Sequence, residues 1–241
     1  MSRGFRNLSD FVRALEKSGE LVRIAEPVDP ELEITEITDR VSKRPGGGKA
    51  LLFENVKGSR FPVLINSFGS YKRMAMAMGG EDVESAAKRI SDLFAAAKGV
   101  PPSMGEKLKL LGGLAELARI PPKIVTKAPC QEVVLEGEAV RLSELPILKC
   151  WPHDGGRFIT LPLVITKDPE TGERNVGVYR MHVYDDRSCG MHWQTQKDGA
   201  AHSEKSRRRG RKLEVAVVLG ADPATVFSGV VPLPYGVDEL L

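Results

Sequence analysis

The ten residues RNVGVYRMHV (174–183) place an amide, Asn175, and a guanidinium, Arg180, within a run of strand-forming residues. An amide oxygen can bind a hard metal ion, and a guanidinium can bind a carboxylate through two hydrogen bonds. Because side chains alternate between the two faces of a strand, a spacing of five puts these two on opposite faces. The stretch is therefore either part of one polar site or an ordinary strand with two unrelated solvated side chains.

Two further groups of polar residues could carry chemistry. Zinc sites usually pair histidines about three to five residues apart. The four histidines here are spaced more widely, so surface or core imidazoles are favoured over a zinc site. The run SEKSRRRGRK (203–212) is strongly basic, as in a phosphate or nucleic-acid patch. No aromatic residues alternate with these cations, which favours a solvated loop before the apolar strand LEVAVVLG. The histidines are His153, His182, His192 and His202.

The composition indicates a globular, cytoplasmic protein. Hydrophobic residues make up 41% of the 241 residues and charged residues 28%, which is enough for a core and a soluble surface. No apolar run approaches the roughly 20 residues of a membrane helix, and no apolar leader follows the opening MSRGFR. Three cysteines without CxxC spacing predict free thiols in a reducing compartment. A net charge of +3 is too small to indicate a nucleic-acid partner by itself.

Helix and strand signals alternate in residues 1–100, which predicts an N-terminal α/β domain. One helix is predicted in LSDFVRALEKSG, with Ser9 as its N-cap. A second is predicted in DPELEITEITDRV, with Asp29 as cap and Pro30 at the first helical position. The segments ALLFENV and FPVLINS predict strands, and residues 81–98 predict another helix.

Residues 101–128 hold one helical stretch between two Pro-Pro pairs and predict a connector. In residues 129–241 short strands dominate, which predicts a small β-barrel or sandwich. The Gly- and Pro-rich segment LGADPATVFSGVVPLPYGVDEL predicts a structured loop that contains the acidic pair Asp238 and Glu239. The predicted strands are QEVVLEG, RFITLPLVIT, RNVGVYRMHVYD, MHWQTQ and LEVAVVLG.

Six motifs, in their order along the chain, resemble those of the UbiD family of decarboxylases, which use prenylated FMN. They are LSDFVRALEKSGELVRI, GKALLFENVKGSRFPVLINSFGSYKRMAMAMG, LPILKCWPHDGG, NVGVYR, MHWQ with KDGA, and GADPAT with PLPYGVDEL. Each motif is weak alone, but their shared order argues against chance similarity. The resemblance implies a split β-barrel of the flavin-reductase type over residues 129–241. It also implies reversible, non-oxidative decarboxylation of an aromatic or α,β-unsaturated carboxylic acid through a covalent adduct with the cofactor.

The resemblance further implies roles for individual residues. Asn175 and Glu239 match the family's ligands for a divalent metal, usually Mn²⁺, which bridges to the flavin phosphate; K⁺ is a further candidate ion. Arg180 matches the arginine that binds the substrate carboxylate, as suits a guanidinium. For Asn175 and Arg180 to serve one site, we predict a bulge or strong twist near Gly177, the residue best able to provide it. The positions that match cofactor-binding residues are Thr160, Asn175, Val178, Tyr179, Arg180, Gln196, Pro232 and Glu239.

Two departures from the family pattern leave alternatives open. Gln196 stands where the family has a histidine as its third metal ligand, and an amide binds a transition metal less well than an imidazole does. Family members are also longer, and their catalytic glutamates and C-terminal domain match nothing within these 241 residues. A non-catalytic flavin- or phosphate-binding module is therefore an alternative. A nucleic-acid binder that uses Lys205 to Lys212 is a less favoured one.

The partners implied by the resemblance are a small carboxylic acid as substrate and a flavin prenyltransferase as supplier of the cofactor. A homo-oligomer is expected for the full-length enzyme. Neither a nucleic acid nor a transmembrane segment is expected.

Overall fold

The computed structural model describes residues 4–98, 125–231 and 238–240. The connector predicted for 101–128 therefore lies outside the described residues as far as position 124, and so does the predicted flavin contact Pro232. Within the described ranges, no helix combines the length and the apolar character needed to cross a membrane.

A three-stranded sheet with helices on both faces forms the first part of the chain. Its described elements are α1 (Leu8–Lys17), β1 (Leu21–Ile24), α2 (Glu33–Ser42), β2 (Ala50–Phe53), β3 (Val63–Ile65), α3 (Tyr71–Ala77) and α4 (Val83–Lys98). Strands β1 and β2 are parallel and are connected through α2, whereas β3 returns antiparallel to β2. The alternation of helices and strands predicted for residues 1–100 is present in this part.

The predicted cap of α1 is wrong. Asn7, and not Ser9, caps this helix, because the Asn7 side chain accepts a 2.8 Å hydrogen bond from the backbone N–H of Asp10. Asparagine is as good an N-cap as serine, so the periodicity of the apolar residues alone could not decide between the two positions.

The predicted start of α2 is also wrong. The helix begins at Glu33, after Leu32 in a left-handed conformation (φ 69°), and not at Pro30. The preceding backbone pairs with the second part of the chain, since the N–H of Leu32 donates to the carbonyl of Lys149 and the N–H of Lys149 donates to the carbonyl of Pro30. Tertiary pairing therefore overrides the local signal for a helix start at Asp29.

The first sheet is buried because hydrophobic residues cover both of its faces. All four residues of β2 are buried. On one face Leu51 and Phe53 pack against Ile34 of α2. On the other face Ala50 packs against Phe11 of α1. This packing makes the sheet a rigid support for the loops at its ends.

Two three-stranded antiparallel sheets form most of the second part. The described elements are β4 (Arg157–Ile159), β5 (Leu163–Lys167), β6 (Arg174–Val178), β7 (Met181–Val183), β8 (Cys189–Met191), α5 (Asp198–Arg208), β9 (Val215–Val218) and α6 (Pro223–Ser228). One sheet has the order β4-β7-β8 and the other the order β6-β5-β9. The described strands do not close into one barrel, and the split β-barrel stays a prediction.

Each of the two long strands predicted in this part is divided between the two sheets. The segment RFITLPLVIT breaks at 160–162 and RNVGVYRMHVYD breaks at 179–180. The breaks lie opposite each other, because Ile159 pairs with Met181 on one side and Leu163 with Val178 on the other. The buried Pro162 has no N–H to donate to a ladder, which accounts for the break in the first segment.

Other predictions for this part are also wrong. Of the predicted strand MHWQTQ only Met191 lies in a strand, β8, and the Gly- and Pro-rich segment predicted as a loop contains the helix α6. The segment QEVVLEG (131–137) forms no strand but is irregular between two short 3₁₀ turns (Pro129–Gln131 and Gly137–Ala139), and its Val133 is 72% exposed. Its β-branched residues have no neighbouring strand to pack on. The basic segment is not a loop up to residue 208, because it forms the C-terminal half of α5.

Candidate functional site

Asn175 and Gly177 lie two residues apart on one face of β6, and Tyr179 follows the end of this strand. Gly177 pairs with Val164 in an uninterrupted ladder, so the bulge predicted there is wrong. Gly177 instead leaves space for the ring of Tyr179, since a Cβ at this glycine would lie 2.5 Å from Cε2 of the tyrosine. The Tyr179 hydroxyl then accepts a long hydrogen bond of 3.4 Å from Nδ2 of the buried Asn175.

The break at 179–180, and not Gly177, separates Arg180 from the strand that carries Asn175. The Arg180 guanidinium carbon lies 4.7 Å from the ring centroid of Phe158, on β4 of the other sheet. Phe158 also stacks on His182, with ring centroids 4.5 Å apart. Arg180 is exposed and forms no ion pair with any residue that the structure describes. Its position is therefore set by an aromatic surface, and its charge is available to an anion.

The thiol of Cys150 lies close enough to Arg180 to respond to its charge. Burial raises the pKa of Cys150, Asp154 raises it further, and Arg180 opposes both. The cation therefore favours negative charge in its surroundings, as expected at a site for a carboxylate.

Glu239 lies at the free edge of β6, although 64 residues separate it from Asn175 in the sequence. The backbone N–H of Val176 donates to Oε2 of Glu239 at 2.7 Å. Next to this contact, Arg174 and Asp238 form an ion pair of 2.6 Å. These contacts hold the segment 238–240 against the strand residue that follows Asn175.

The surroundings of Glu239 favour its neutral form. Burial raises the pKa of Glu239, and the negative charges of Asp198 and Asp238 raise it further, whereas the N–H of Val176 lowers it. A cation beside the Glu239 carboxylate would lower its pKa, because an opposite charge favours the ionised form. The oxygen atoms of Glu239 and Asn175 are donors that suit a hard cation such as Mn²⁺.

Gln196, the predicted third metal ligand, is exposed. Its Nε2 donates to Oε1 of Gln194 at 3.0 Å. No hydrogen bond joins Gln196 to Asn175 or Glu239 among the described residues. The described part of the chain also holds no cluster of three or more His, Cys, Asp or Glu that could hold a metal ion. The structure thus places two of the three predicted ligands at one strand edge and leaves the third turned towards solvent.

A buried donor without an acceptor lies beside this site. The indole Nε1 of Trp193 is buried and has no hydrogen-bond partner among the described residues. It lies against Gly199, in the first turn of α5, where a Cβ would approach it to 2.7 Å. The ring of Trp193 meets Tyr179 edge-on, with centroids 6.2 Å apart. A phosphate oxygen or a water molecule at this position would satisfy the donor.

The predicted flavin contacts lie on both sides of the sheet break. Val178 is half-buried at the end of β6, and Thr160 is exposed in the gap between β4 and β5. Thr160 and Phe158 line a largely apolar cleft of about 650 Å³ between the two parts of the chain, with Phe68 and Leu219 among the other walls. The cleft thus extends to Phe158, whose ring lies against the guanidinium of Arg180.

Sequence analysis missed a buried polar network that anchors α5. Thr166 Oγ1 and His202 Nδ1 lie 2.9 Å apart, and the buried Asp168 binds Lys205. Burial alone raises the pKa of Asp168, but the hydrogen bonds from Lys205 and from the backbone N–H groups of residues 170 and 171 outweigh it and lower the pKa to about 2. Burial lowers the pKa of His202.

The spacing of these residues in the sequence could have predicted part of this network. Thr166 lies on β5 and Asp168, two residues on, directly follows this strand. His202 and Lys205 are three apart on α5, which places them on one face of the helix. The signal was lost because the basic segment was interpreted as a loop.

Two family models match this chain. The 3-octaprenyl-4-hydroxybenzoate carboxy-lyase N-terminal domain matches residues 12–94, and the 3-octaprenyl-4-hydroxybenzoate carboxy-lyase Rift-related domain matches residues 123–241. The chain belongs to the UbiD family. The resemblance found in the six sequence motifs is thereby confirmed.

Two relatives are similar to this chain over nearly its whole length. An uncharacterised protein of Aquifex aeolicus is 52% identical over 98% of this chain and 48% of its own length. One of Archaeoglobus fulgidus is 48% identical over 98% of this chain and 48% of its own length. The chain spans about half the length of these relatives.

Solved UbiD-class structures share the fold. The enzyme HmfF from Pelotomaculum thermopropionicum, in complex with FMN, has a TM-score of 0.78 and 27% identity over 97% of this chain and 47% of its own. The vanillic acid decarboxylase of Sedimentibacter hydroxybenzoicus in its closed form has a TM-score of 0.82 and 27% identity over 98% and 47%. An evolved dimeric HmfF in complex with prenylated FMN has a TM-score of 0.72 and 27% identity over 98% and 49%. The α+β fold therefore matches that of UbiD-class enzymes.

Proposed function

We propose that this chain forms the cofactor-binding part of a UbiD-type decarboxylase that acts on an aromatic or α,β-unsaturated carboxylic acid. The observation that carries the proposal is the meeting of Glu239 with β6 directly beside the buried Asn175. It joins two segments that are far apart in the sequence and that both carry oxygen donors, in a fold shared with enzymes solved in complex with FMN and prenylated FMN.

Arg180 is proposed as the residue that binds the substrate carboxylate. It is exposed, free of ion pairs within the described residues, and supported by the ring of Phe158. A guanidinium that rests on an aromatic face retains its planar edge for two hydrogen bonds to a carboxylate. When bound, prenylated FMN would supply the electron sink for the loss of CO₂. The protein's own contribution would be to bind and orient the acid.

Asn175 and Glu239 are proposed to hold a divalent cation, with Mn²⁺ as the first candidate and K⁺ as a further one. Carboxylate and amide oxygens suit hard cations, and the raised pKa of Glu239 marks a carboxylate that lacks a nearby positive charge. The indole N–H of Trp193, which has no acceptor among the described residues, is proposed to donate to the flavin phosphate. Thr160, Val178, Tyr179, Gln196 and Pro232 are proposed as the remaining flavin contacts.

The first test is a titration of the 241-residue chain with FMN, followed by flavin fluorescence, with and without Mn²⁺. We expect saturable binding that Mn²⁺ tightens in the parent protein and no longer tightens in Asn175→Ala. The matched control is Asn55→Ala, because Asn55 is an exposed asparagine in the first part of the chain. Loss of the Mn²⁺ effect in both variants, or in neither, would contradict the assigned metal site.

A second candidate function is a flavin- or phosphate-binding module without catalysis. The position of Gln196 favours it, since its side chain is turned towards Gln194 and away from the predicted metal site. The two candidates differ in one product: both bind the flavin, but only a decarboxylase releases CO₂ from a carboxylic acid when prenylated FMN is supplied.

The basic segment gives little support to a nucleic-acid function. Arg207 and Arg208 both pair with Glu204 of the same helix, and Arg209 reaches Glu170 at 3.6 Å. Much of the positive charge is therefore compensated within the protein.

Supply of the cofactor by a flavin prenyltransferase, a homo-oligomeric full-length enzyme and a cytoplasmic location complete the proposal.

A further inference from the structure

A cavity in the first part of the chain lies away from every residue assigned above. It has a volume of about 690 Å³ and is enclosed by β1, α2 and the loop between α2 and β2. Its floor is apolar, and its rim carries cationic side chains. The floor residues are Val22, Ile24, Ile37, Val41 and Leu51.

The loop at the rim, RPGGGK (44–49), has a backbone that only glycine can adopt. Gly46, Gly47 and Gly48 all have positive φ, at 75°, 82° and 58°. A Cβ at Gly47 would lie 1.8 Å from the carbonyl oxygen of Gly69, and a Cβ at Gly48 would lie 2.1 Å from that of Val41. The loop is therefore packed tightly against its neighbours, and its conformation is fixed.

Two side chains, the fully buried Arg73 and the half-buried Asn66, hold the carbonyl groups of this loop. Arg73, which is fully buried, donates from Nη1 to the carbonyl of Gly48 at 2.6 Å. Asn66 donates from Nδ2 to the carbonyls of Gly47 and Lys49, both at 2.9 Å. All three carbonyls thus point towards the interior.

The N–H groups of the same peptides must point the other way. The N–H and C=O of a trans peptide are antiparallel, so fixing the carbonyls of Gly47 and Gly48 turns the N–H groups of Gly48 and Lys49 away from Arg73 and Asn66. Neither N–H has a hydrogen-bond acceptor among the described residues, and both residues line the cavity. Successive unpaired N–H groups of this kind form an anion-binding concavity.

The side chains at the rim add positive charge. Arg44 and Lys49 line the cavity, are exposed, and form no ion pair within the described part of the chain. Lys72 also lines it, but it pairs with Glu20 at 2.9 Å. Two uncompensated cations thus lie beside two unpaired backbone donors, above an apolar floor.

We propose that this cavity binds a small amphipathic anion, whose carboxylate or phosphate lies on the glycine loop and whose hydrocarbon part covers the apolar floor. The two unpaired N–H groups and the cations Arg44 and Lys49 favour a negatively charged ligand. The apolar floor favours a ligand with a hydrocarbon part over an inorganic ion. The site is independent of the proposed decarboxylase function, because none of the flavin, metal or substrate residues lines it.

The test is an NMR titration of the ¹⁵N-labelled 241-residue chain with phenyl phosphate, benzoate, methyl phosphate and benzyl alcohol. We expect phenyl phosphate or benzoate to move the amide signals of Gly48 and Lys49 to saturation, and the tighter of the two identifies the preferred head group. Methyl phosphate should bind at least about fivefold more weakly, because it lacks the apolar body. Benzyl alcohol should leave both signals in place.

The double variant Arg44→Gln/Lys49→Gln should weaken binding at least about tenfold. The matched control is Lys43→Gln/Lys57→Gln, which removes two exposed cations that do not line the cavity and should leave affinity within about twofold. Equal weakening in both double variants, equal affinity for methyl and phenyl phosphate, or no saturable movement at Gly48 and Lys49 would each overturn the proposal. FMN binding by the Arg44→Gln/Lys49→Gln variant should equal that of the parent, so failure here stays separate from failure of the proposed function.

Discussion

The backbone N–H of Val176 donates to the Glu239 carboxylate at 2.7 Å, directly after the buried Asn175 in the strand. The carboxylate satisfies a backbone donor at the free edge of β6. Burial and the charges of Asp198 and Asp238 raise the pKa of Glu239, so the contact carries an electrostatic cost that a bound cation would offset. The side chain of Glu239 thus has a structural role, in addition to the ligand role that we propose for it.

The two roles of Glu239 can be separated by substitution. Glu239→Gln keeps an oxygen that can accept from Val176 but loses the charge, so we expect stability near that of the parent and loss of the Mn²⁺ effect on FMN binding. Glu239→Ala removes the acceptor as well and should cost about 1 kcal/mol of unfolding free energy. Urea unfolding together with FMN titration measures both effects. An Mn²⁺ effect that survives in Glu239→Gln would show that the carboxylate is not a ligand.

Arg180 should control the binding of the acid and not the binding of the flavin. In the FMN-loaded protein, Arg180→Ala should weaken benzoate binding by about 1.5–3 kcal/mol, the usual worth of hydrogen bonds to a charged group. Arg180→Lys should recover only part of this, because an ammonium group lacks the planar edge of a guanidinium. Calorimetry with benzoate and with FMN separates the two ligands.

The matched control for Arg180 is Arg187→Ala, which removes another exposed arginine that follows β7. It should leave benzoate binding unchanged. Loss of FMN binding in Arg180→Ala would indicate that the guanidinium binds the cofactor, and would contradict its assignment to the substrate.

The sequence predicted most elements of the fold but not how its second part is divided. Apolar alternation indicated the strands, yet periodicity carries no information on where one sheet ends and the next begins. The break at 160–162 is explained by the buried Pro162. The break at 179–180 follows only from the strand pairing, in which Val178 belongs to one sheet and Met181 to the other. Similarly, the start of α2 depended on pairing with Lys149, more than a hundred residues away.

The candidate site was predictable only in part for the same reason. The resemblance, and not local spacing, connected Asn175 with Glu239, and the structure then placed both at one strand edge. The bulge at Gly177 was wrong, because the argument assumed that one continuous strand carries both Asn175 and Arg180. The network around Asp168 was missed because it depends on the tertiary docking of a segment that was interpreted as a loop.

Gln196 is the position at which a substitution should improve the site. Gln196→His restores the residue implied by the family resemblance, and an imidazole binds a transition metal better than an amide does. We expect Mn²⁺ affinity to rise about tenfold, or about 1.4 kcal/mol. Electron paramagnetic resonance of free Mn²⁺ measures this directly. Gln194→His is the matched control, because it places an imidazole on the hydrogen-bond partner of Gln196. An equal gain from both variants would indicate non-specific metal binding.

Asp168 should make the protein sensitive to acid. Its pKa is lowered to about 2 in the folded protein from an ordinary value of 3.8, so its ionised form stabilises the fold. This contribution, about 2 kcal/mol, is fully present above the ordinary pKa and is lost as the pH falls through about 2. The lowered pKa of His202 acts in the same direction at higher pH, since the buried neutral imidazole must acquire a proton as the pH falls below its ordinary value of 6.5.

Urea unfolding between pH 5 and pH 2 tests the role of Asp168. The parent should lose about 2 kcal/mol more than Asp168→Asn over this range, because the variant has no carboxylate to protonate at this position. Glu170→Gln is the matched control, since Glu170 is exposed and lies 3.5 Å from the same Lys205. The unfolding free energy of Glu170→Gln should decrease with falling pH as steeply as that of the parent, because a surface ion pair contributes little to stability. If the unfolding free energies of the parent and of Asp168→Asn decrease equally with falling pH, the ion pair of Asp168 with Lys205 does not stabilise the attachment of α5 to β5.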